Sequence, residues 1–189
     1  MATLLDEQLK QQQEGIVEAI TQPLWQKAAA FAAHVHASEV PRGETPPSLA
    51  KATRVALTIA SRYHCPEAPV LATALLQNVM DKSEVSFEEL CDQFGRQIAT
   101  RVERLSHETE EDTELHLKRL RSCDWQTRLI MLADAADTLD HDSEDEALES
   151  RINHSTQVLE LAFGEEEPVQ RAQRHLTELL QNIRLNSAG

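Results

Sequence analysis

A chain of 189 residues suits one domain, and at that size folding removes roughly 70% of the unfolded chain's surface from water. Hydrophobic content of 41% supports a core, while five Gly, seven Pro and 4% aromatics among long Ala/Leu/Glu/Gln stretches favour an all-α fold. The net charge of −14 excludes nucleic acid and an anionic membrane surface as partners, because phosphate binding needs a basic face.

No apolar run reaches the roughly 18–20 residues that a membrane helix needs, and Met1 to Gly15 lacks the apolar core of a signal peptide. Residues 3–20 read as a first helix, with Leu4, Leu5, Leu9, Ile16, Val17 and Ile20 as an uneven apolar stripe. Thr21 ahead of Pro23 marks a break and a new start. The second helix, about 23–38, ends in His34-Val35-His36. Two residues apart on a helix, these histidines point to different sides and cannot share one ion. Val40 to Pro47 is a loop, kept irregular by Pro41, Gly43, Pro46 and Pro47.

A third helix, about 48–64, turns Leu49, Val55, Ala56, Ile59 and Ala60 inward and leaves Lys51 and Arg54 for a pocket or for solvent. After a tight Cys65-Pro66-Glu67 turn comes the most apolar stretch, read as a central buried helix over 68–81. Two adjacent amides, Gln77 and Asn78, interrupt its apolar run, and Asp81-Lys82 follows one turn later. Polar residues at the end of a core helix point to a pocket. Ser86-Phe87-Glu88-Glu89 is a capping box for the next helix, which breaks at Gly95 and continues to about Leu105.

His107 to Glu114 is an acidic loop, followed by a short helix at about 113–122 and a longer one from Trp125 to Leu139. His141-Asp142 sits at a polar helix end and reads as surface. Two closing helices follow, about 146–163 and 166–185, with Gly164 expected as the C-cap between them. Cys65, Cys91 and Cys123 are odd in number and outside any metal spacing, so they read as reduced thiols of a cytoplasmic protein.

The block Ala74-Leu75-Leu76-Gln77-Asn78-Val79-Met80-Asp81-Lys82-Ser83 through Phe94-Gly95 resembles the hydrolase domain of the RelA/SpoT family. These are HD-domain enzymes that remove the 3′-pyrophosphate from (p)ppGpp. The family reads Ala-Leu-Leu-His-Asp-Val-Val-Glu-Asp-Thr here, then a Thr/Ser-x-Glu-Glu-Leu helix start and Phe-Gly. A second block, Arg128-Leu129-Ile130-Met131-Leu132-Ala133-Asp134, is similar to the family's Arg-x-x-x-x-Lys-Leu-Ala-Asp. The likeness spans roughly residues 26 to 185 and implies an HD-domain helical bundle of the small, stand-alone form, with residues 1–22 as an added N-terminal helix.

The resemblance also implies where a metal site would lie, and there this sequence departs. The family holds a manganese-type ion with two His and two Asp. Their positions fall on Ala50, Gln77, Asn78 and Asp134, of which only Asp134 keeps a ligand of the family's kind. A bound ion lowers the pKa of its water from about 15.7 to about 7 and so supplies hydroxide at neutral pH. Neutral amides are weak ligands beside imidazole and carboxylate, so no metal cofactor is expected.

Asp81 keeps the acid that the family places by the attacking water, whereas Lys82 replaces a second acid. Gln77, Asn78, Asp81, Lys82 and Asp134 are therefore expected to form a hydrogen-bonded, ion-paired core, with the Lys82 ammonium close to Asp134 in place of the metal. His36 and Arg42 weakly match a purine-facing segment of the family. A nucleotide rich in phosphates would draw on Lys51, Arg54, Lys82, Arg42 and Arg128.

Two functions of different class follow. One is a non-catalytic pseudo-hydrolase that binds a guanine nucleotide or a protein partner. The other is a phosphohydrolase with a non-standard site, working either through an unrecognised metal site with manganese as the cofactor or through metal-free acid–base chemistry by Asp81 with Asp134.

Overall fold

In the computed structural model, residues 2–37, 47–106, 121–141 and 148–186 are described, without the side chains of residues 2–6, 8, 11, 82 and 186. Few glycines and many straight-chain residues leave little to interrupt helix formation. Regular structure among the described residues is accordingly all helical. In chain order the helices are α1 (Ala2–Thr21), α2 (Pro23–His36), α3 (Pro47–Ser61), α4 (Ala68–Leu76) and α5 (Val79–Lys82), then α6 (Phe87–Phe94), α7 (Arg96–Leu105), α8 (Trp125–His141), α9 (Leu148–Leu161) and α10 (Glu167–Asn186). No helix among these residues is long and apolar enough to cross a membrane.

Helix α4 is the hub. Every residue from Val70 to Leu76 is buried, and the helix packs against α2, α3, α7 and α8. Burial of Val70, Leu71, Leu75 and Leu76 removes side chains worth about 1.5–3 kcal/mol each from water. Helix α8 crosses α3 and α4 and is covered by α9 and α10. Helix α1 lies along α3, where a Cβ on Gly15 would stand 2.7 Å from the Ala60 carbonyl oxygen, so only glycine permits that approach.

Local signals act as the sequence implies at several ends. The Ser86 hydroxyl accepts the Glu89 amide at 3.1 Å and starts α6. Gly95, at φ +83°, adopts a left-handed backbone between α6 and α7 that other residues rarely tolerate. Three expectations need correction.

The central helix does not run through 68–81. It stops at Leu76, Gln77 and Asn78 form a turn, and Asn78 sits at φ −109°, ψ 5° before α5 begins. Helix α3 ends at Ser61 rather than near His64. There the Arg62 and Tyr63 amides both donate to the Thr58 carbonyl, and His64 is left-handed at φ 55°. Gly164 is no left-handed cap: among the described glycines, Gly95 is the one with positive φ. A Cβ on Gly164 would instead meet Glu166 Oε2 at 2.4 Å.

The far end of the bundle is tied by a buried polar pair. Tyr63, just past α3, and His175 of α10 share a hydrogen bond of 2.8 Å between Oη and Nδ1. Burial pushes the Tyr63 hydroxyl far above its ordinary pKa, so it stays neutral.

Candidate functional site

The turn at Gln77-Asn78 has a side-chain counterpart. Gln77 is 4% exposed, so its amide needs partners inside the protein. Its Nε2 donates to Asp134 Oδ1 at 3.0 Å, the orientation that chemistry requires, since the amide oxygen would repel a carboxylate. Asp134 lies mid-way along α8, after the buried run Leu129–Ala133.

The same carboxylate meets Lys51 from α3. Lys51 Nζ stands 3.1 Å from both Asp134 oxygens and donates to Thr138 Oγ1 at 2.8 Å. Thr138 passes its own proton to the Asp134 carbonyl at 2.9 Å, which leaves its lone pairs for the ammonium. One turn along, the Arg54 guanidinium grips Asp137 with two bonds, 2.8 Å from Nε and 2.7 Å from Nη2. The Asp137 side chain is only 5% exposed, and His141 Nδ1 adds a contact at 3.3 Å to its Oδ1.

Lys51 and Arg54 are three residues apart, and so are Asp134 and Asp137. Each pair occupies one face of its helix, so α3 and α8 meet as a two-rung ladder of opposite charges. Two cations face two anions, and among these four side chains no net charge remains for a ligand.

This donor set does not fit a metal ion of the manganese class. Ala50 has no ligand atom, Gln77 turns its NH2 toward Asp134, and the Asp134 oxygens already hold an ammonium. Among the described residues no group of three or more His, Cys, Asp or Glu is arranged to hold a metal.

The structure brings Lys51, Gln77 and Asp134 into contact and sets Arg54 on the next rung. The cation on Asp134 is Lys51. Lys82 was expected there; its side chain lies outside the described residues. Asn78 is half-buried and caps α5 without a side-chain hydrogen bond. Asp81 is exposed on α5, unlike the half-buried Asp134. His36 is buried, at 1% exposure, at the end of α2. Arg42 lies outside the described residues. Arg128 does not serve the site: it donates to the Phe163 carbonyl at 2.8 Å and lies over the Phe163 ring, at 5.4 Å from its centroid.

Asp137, Thr138 and His141 are the site residues that sequence reasoning missed. Matched spacing was the available signal, since Lys51-x-x-Arg54 complements Asp134-x-x-Asp137.

No family model and no curated relative matches the chain. Among solved structures, a metazoan ortholog of SpoT, described as hydrolysing ppGpp and playing a role in starvation responses, superposes with a TM-score of 0.73. It is 18% identical, and the match covers 85% of this chain and 96% of that one. The shared fold is the helical HD-domain bundle.

Proposed function

We propose that this chain is a degenerate HD-fold protein of the cytoplasm, without hydrolase activity, that works as a protein-interaction module. One observation carries the reading: the Lys51 ammonium, 3.1 Å from both Asp134 oxygens, where the resemblance places a metal cation. Gln77 donates to the same carboxylate, so the site offers donors where an ion needs acceptors. A protein partner is favoured over a guanine nucleotide because Lys51 and Arg54, the cations a polyphosphate would need, are already matched by Asp134 and Asp137.

The test is a pyrophosphate-release assay on ppGpp with added manganese, alongside elemental analysis of the purified protein. No turnover and no stoichiometric metal are expected. Manganese-dependent release that disappears in Asp134→Asn would overturn the reading and favour a hydrolase with a non-standard site. Binding of ppGpp that is lost in Lys51→Met would restore the nucleotide-binding alternative.

A further inference from the structure

At the start of α8 a second polar constellation has more cations than anions. Asp124 directly precedes the helix. Its Oδ1 accepts the Thr127 amide at 3.0 Å and the Thr127 hydroxyl at 2.6 Å, and its Oδ2 accepts Arg101 Nε of α7 at 2.8 Å. Burial pushes the Asp124 carboxyl up, but the bonds from Thr127 and Arg101 more than offset it and hold it below the usual carboxylate range. Asp124 is therefore an anion, and it is the only anion lining this corner among the described residues.

Arg101 is 3% exposed and gives Asp124 its Nε alone. Among the described residues no acceptor takes its Nη1 or Nη2. These nitrogens are not sealed in the core, because Arg101 borders a cavity of about 390 Å³ between α7 and the start of α8. Arg104, one turn further along α7, lines the same cavity and is held by a long bond of 3.3 Å from Nη1 to the Ser122 carbonyl. The half-buried Thr100 also lines it, and its hydroxyl has no partner among the described residues. Burial pushes the Cys123 thiol up, so it adds no negative charge to the wall.

A buried guanidinium with four of its five N–H donors unmade among the described residues is costly unless something accepts from it. We propose that this cavity is a binding site for a phosphate-type oxyanion. Arg101 supplies the N–H groups of Nη1 and Nη2, Arg104 a second cation and Thr100 a hydroxyl, from more than one direction. That suits a tetrahedral anion with several oxygens better than a two-oxygen carboxylate. The positive end of α8 adds to the same field.

The probe is inorganic phosphate, followed by calorimetry and thermal shift against chloride and acetate at matched ionic strength. Saturable one-to-one binding is expected for phosphate, with acetate no better than chloride. Arg104→Gln, at the cavity rim, should weaken it about tenfold, the loss of one charge-assisted hydrogen bond, and Thr100→Val should weaken it less. Arg101→Gln should abolish it, with circular dichroism confirming that the variant is folded; if that variant does not fold, Arg104→Gln and Thr100→Val decide the question. Glycerol phosphate separates the sources of the group: binding of both compounds fits a phosphate monoester, and binding of inorganic phosphate alone fits the free ion. Phosphate acting no differently from chloride or acetate, or an Arg104→Gln protein binding like its parent, would overturn the proposal.

Discussion

Helix α8 carries two carboxylates at its middle and follows a single one, Asp124, at its start, and the two regions are balanced differently. Along its middle, Asp134 and Asp137 face Lys51 and Arg54, so every charge has a partner. At its start, among the described residues, Asp124 alone faces Arg101 and Arg104. Closed ion pairs hold two helices in register, whereas an open excess of donors attracts something from outside. Along α8 and the residue before it, then, the region that the resemblance marks as chemical is the one whose charges are paired. The region that the resemblance leaves unmarked is the one where, among the described residues, cations outnumber anions.

If the middle of α8 is structural, breaking it should cost stability, and the more buried rung should cost more. Arg54→Met leaves Asp137, 5% exposed, with His141 in place of a bidentate guanidinium. Removing one partner of such a pair costs about 3–5 kcal/mol, to be read from urea unfolding. Adding Asp137→Asn should return much of that, because the stranded charge is gone. A single-variant cost below about 1 kcal/mol, the range of surface pairs, would mean that this rung is solvated.

The outer rung should respond less. Asp134 and Lys51 side chains are 30% and 28% exposed, and Gln77 remains on the carboxylate after Lys51→Met. A loss of about 1–3 kcal/mol is expected, as for a hydrogen bond to a charged group. A cycle with Asp134→Asn should show coupling between the two positions. Strictly additive effects would mean that Lys51 does not stabilise Asp134.

These rungs also mark the limit of what was legible in the sequence. Apolar density alone identified Val70–Leu76 as core, and local chemistry identified the Ser86 cap and the Gly95 break, because those signals act within a few residues. The Lys51–Asp134 contact joins residues 83 positions apart, and only the crossing of α3 over α8 sets its register. Local reasoning therefore looked for an Asp134 partner at Lys82, close in sequence to Asn78, and did not find Lys51. The turn at Gln77-Asn78 was hidden for a related reason. It is stabilised by a tertiary bond from Gln77 to Asp134, which no helix propensity contains.

The smallest expected effect lies at the far end of the bundle and concerns pH. His175 accepts from or donates to Tyr63 through Nδ1 at 2.8 Å, and its Nε2 is 4.0 Å from Asp140 Oδ2. Burial, and then the charge of Arg62, push its pKa below the ordinary value, while Asp140 and Glu178 pull the other way. The folded protein therefore holds this imidazole neutral at a pH where the unfolded chain has begun to protonate it. Above about pH 6.5 the difference vanishes; below it the unfolded state binds more protons, so stability falls as pH falls until the folded-state pKa is passed.

Protonation would also fix the direction of the Tyr63 bond. In the imidazolium Nδ1 can only donate, and the hydroxyl, which burial keeps neutral, must accept. His175→Gln keeps an acceptor for Tyr63 without a titrating group. Its urea-unfolding free energy should vary less than the parent's as pH is lowered from about 6.5 toward 5. Parallel curves for the two proteins would show that His175 titrates alike folded and unfolded. The Tyr63 bond would then be indifferent to the protonation state of its partner.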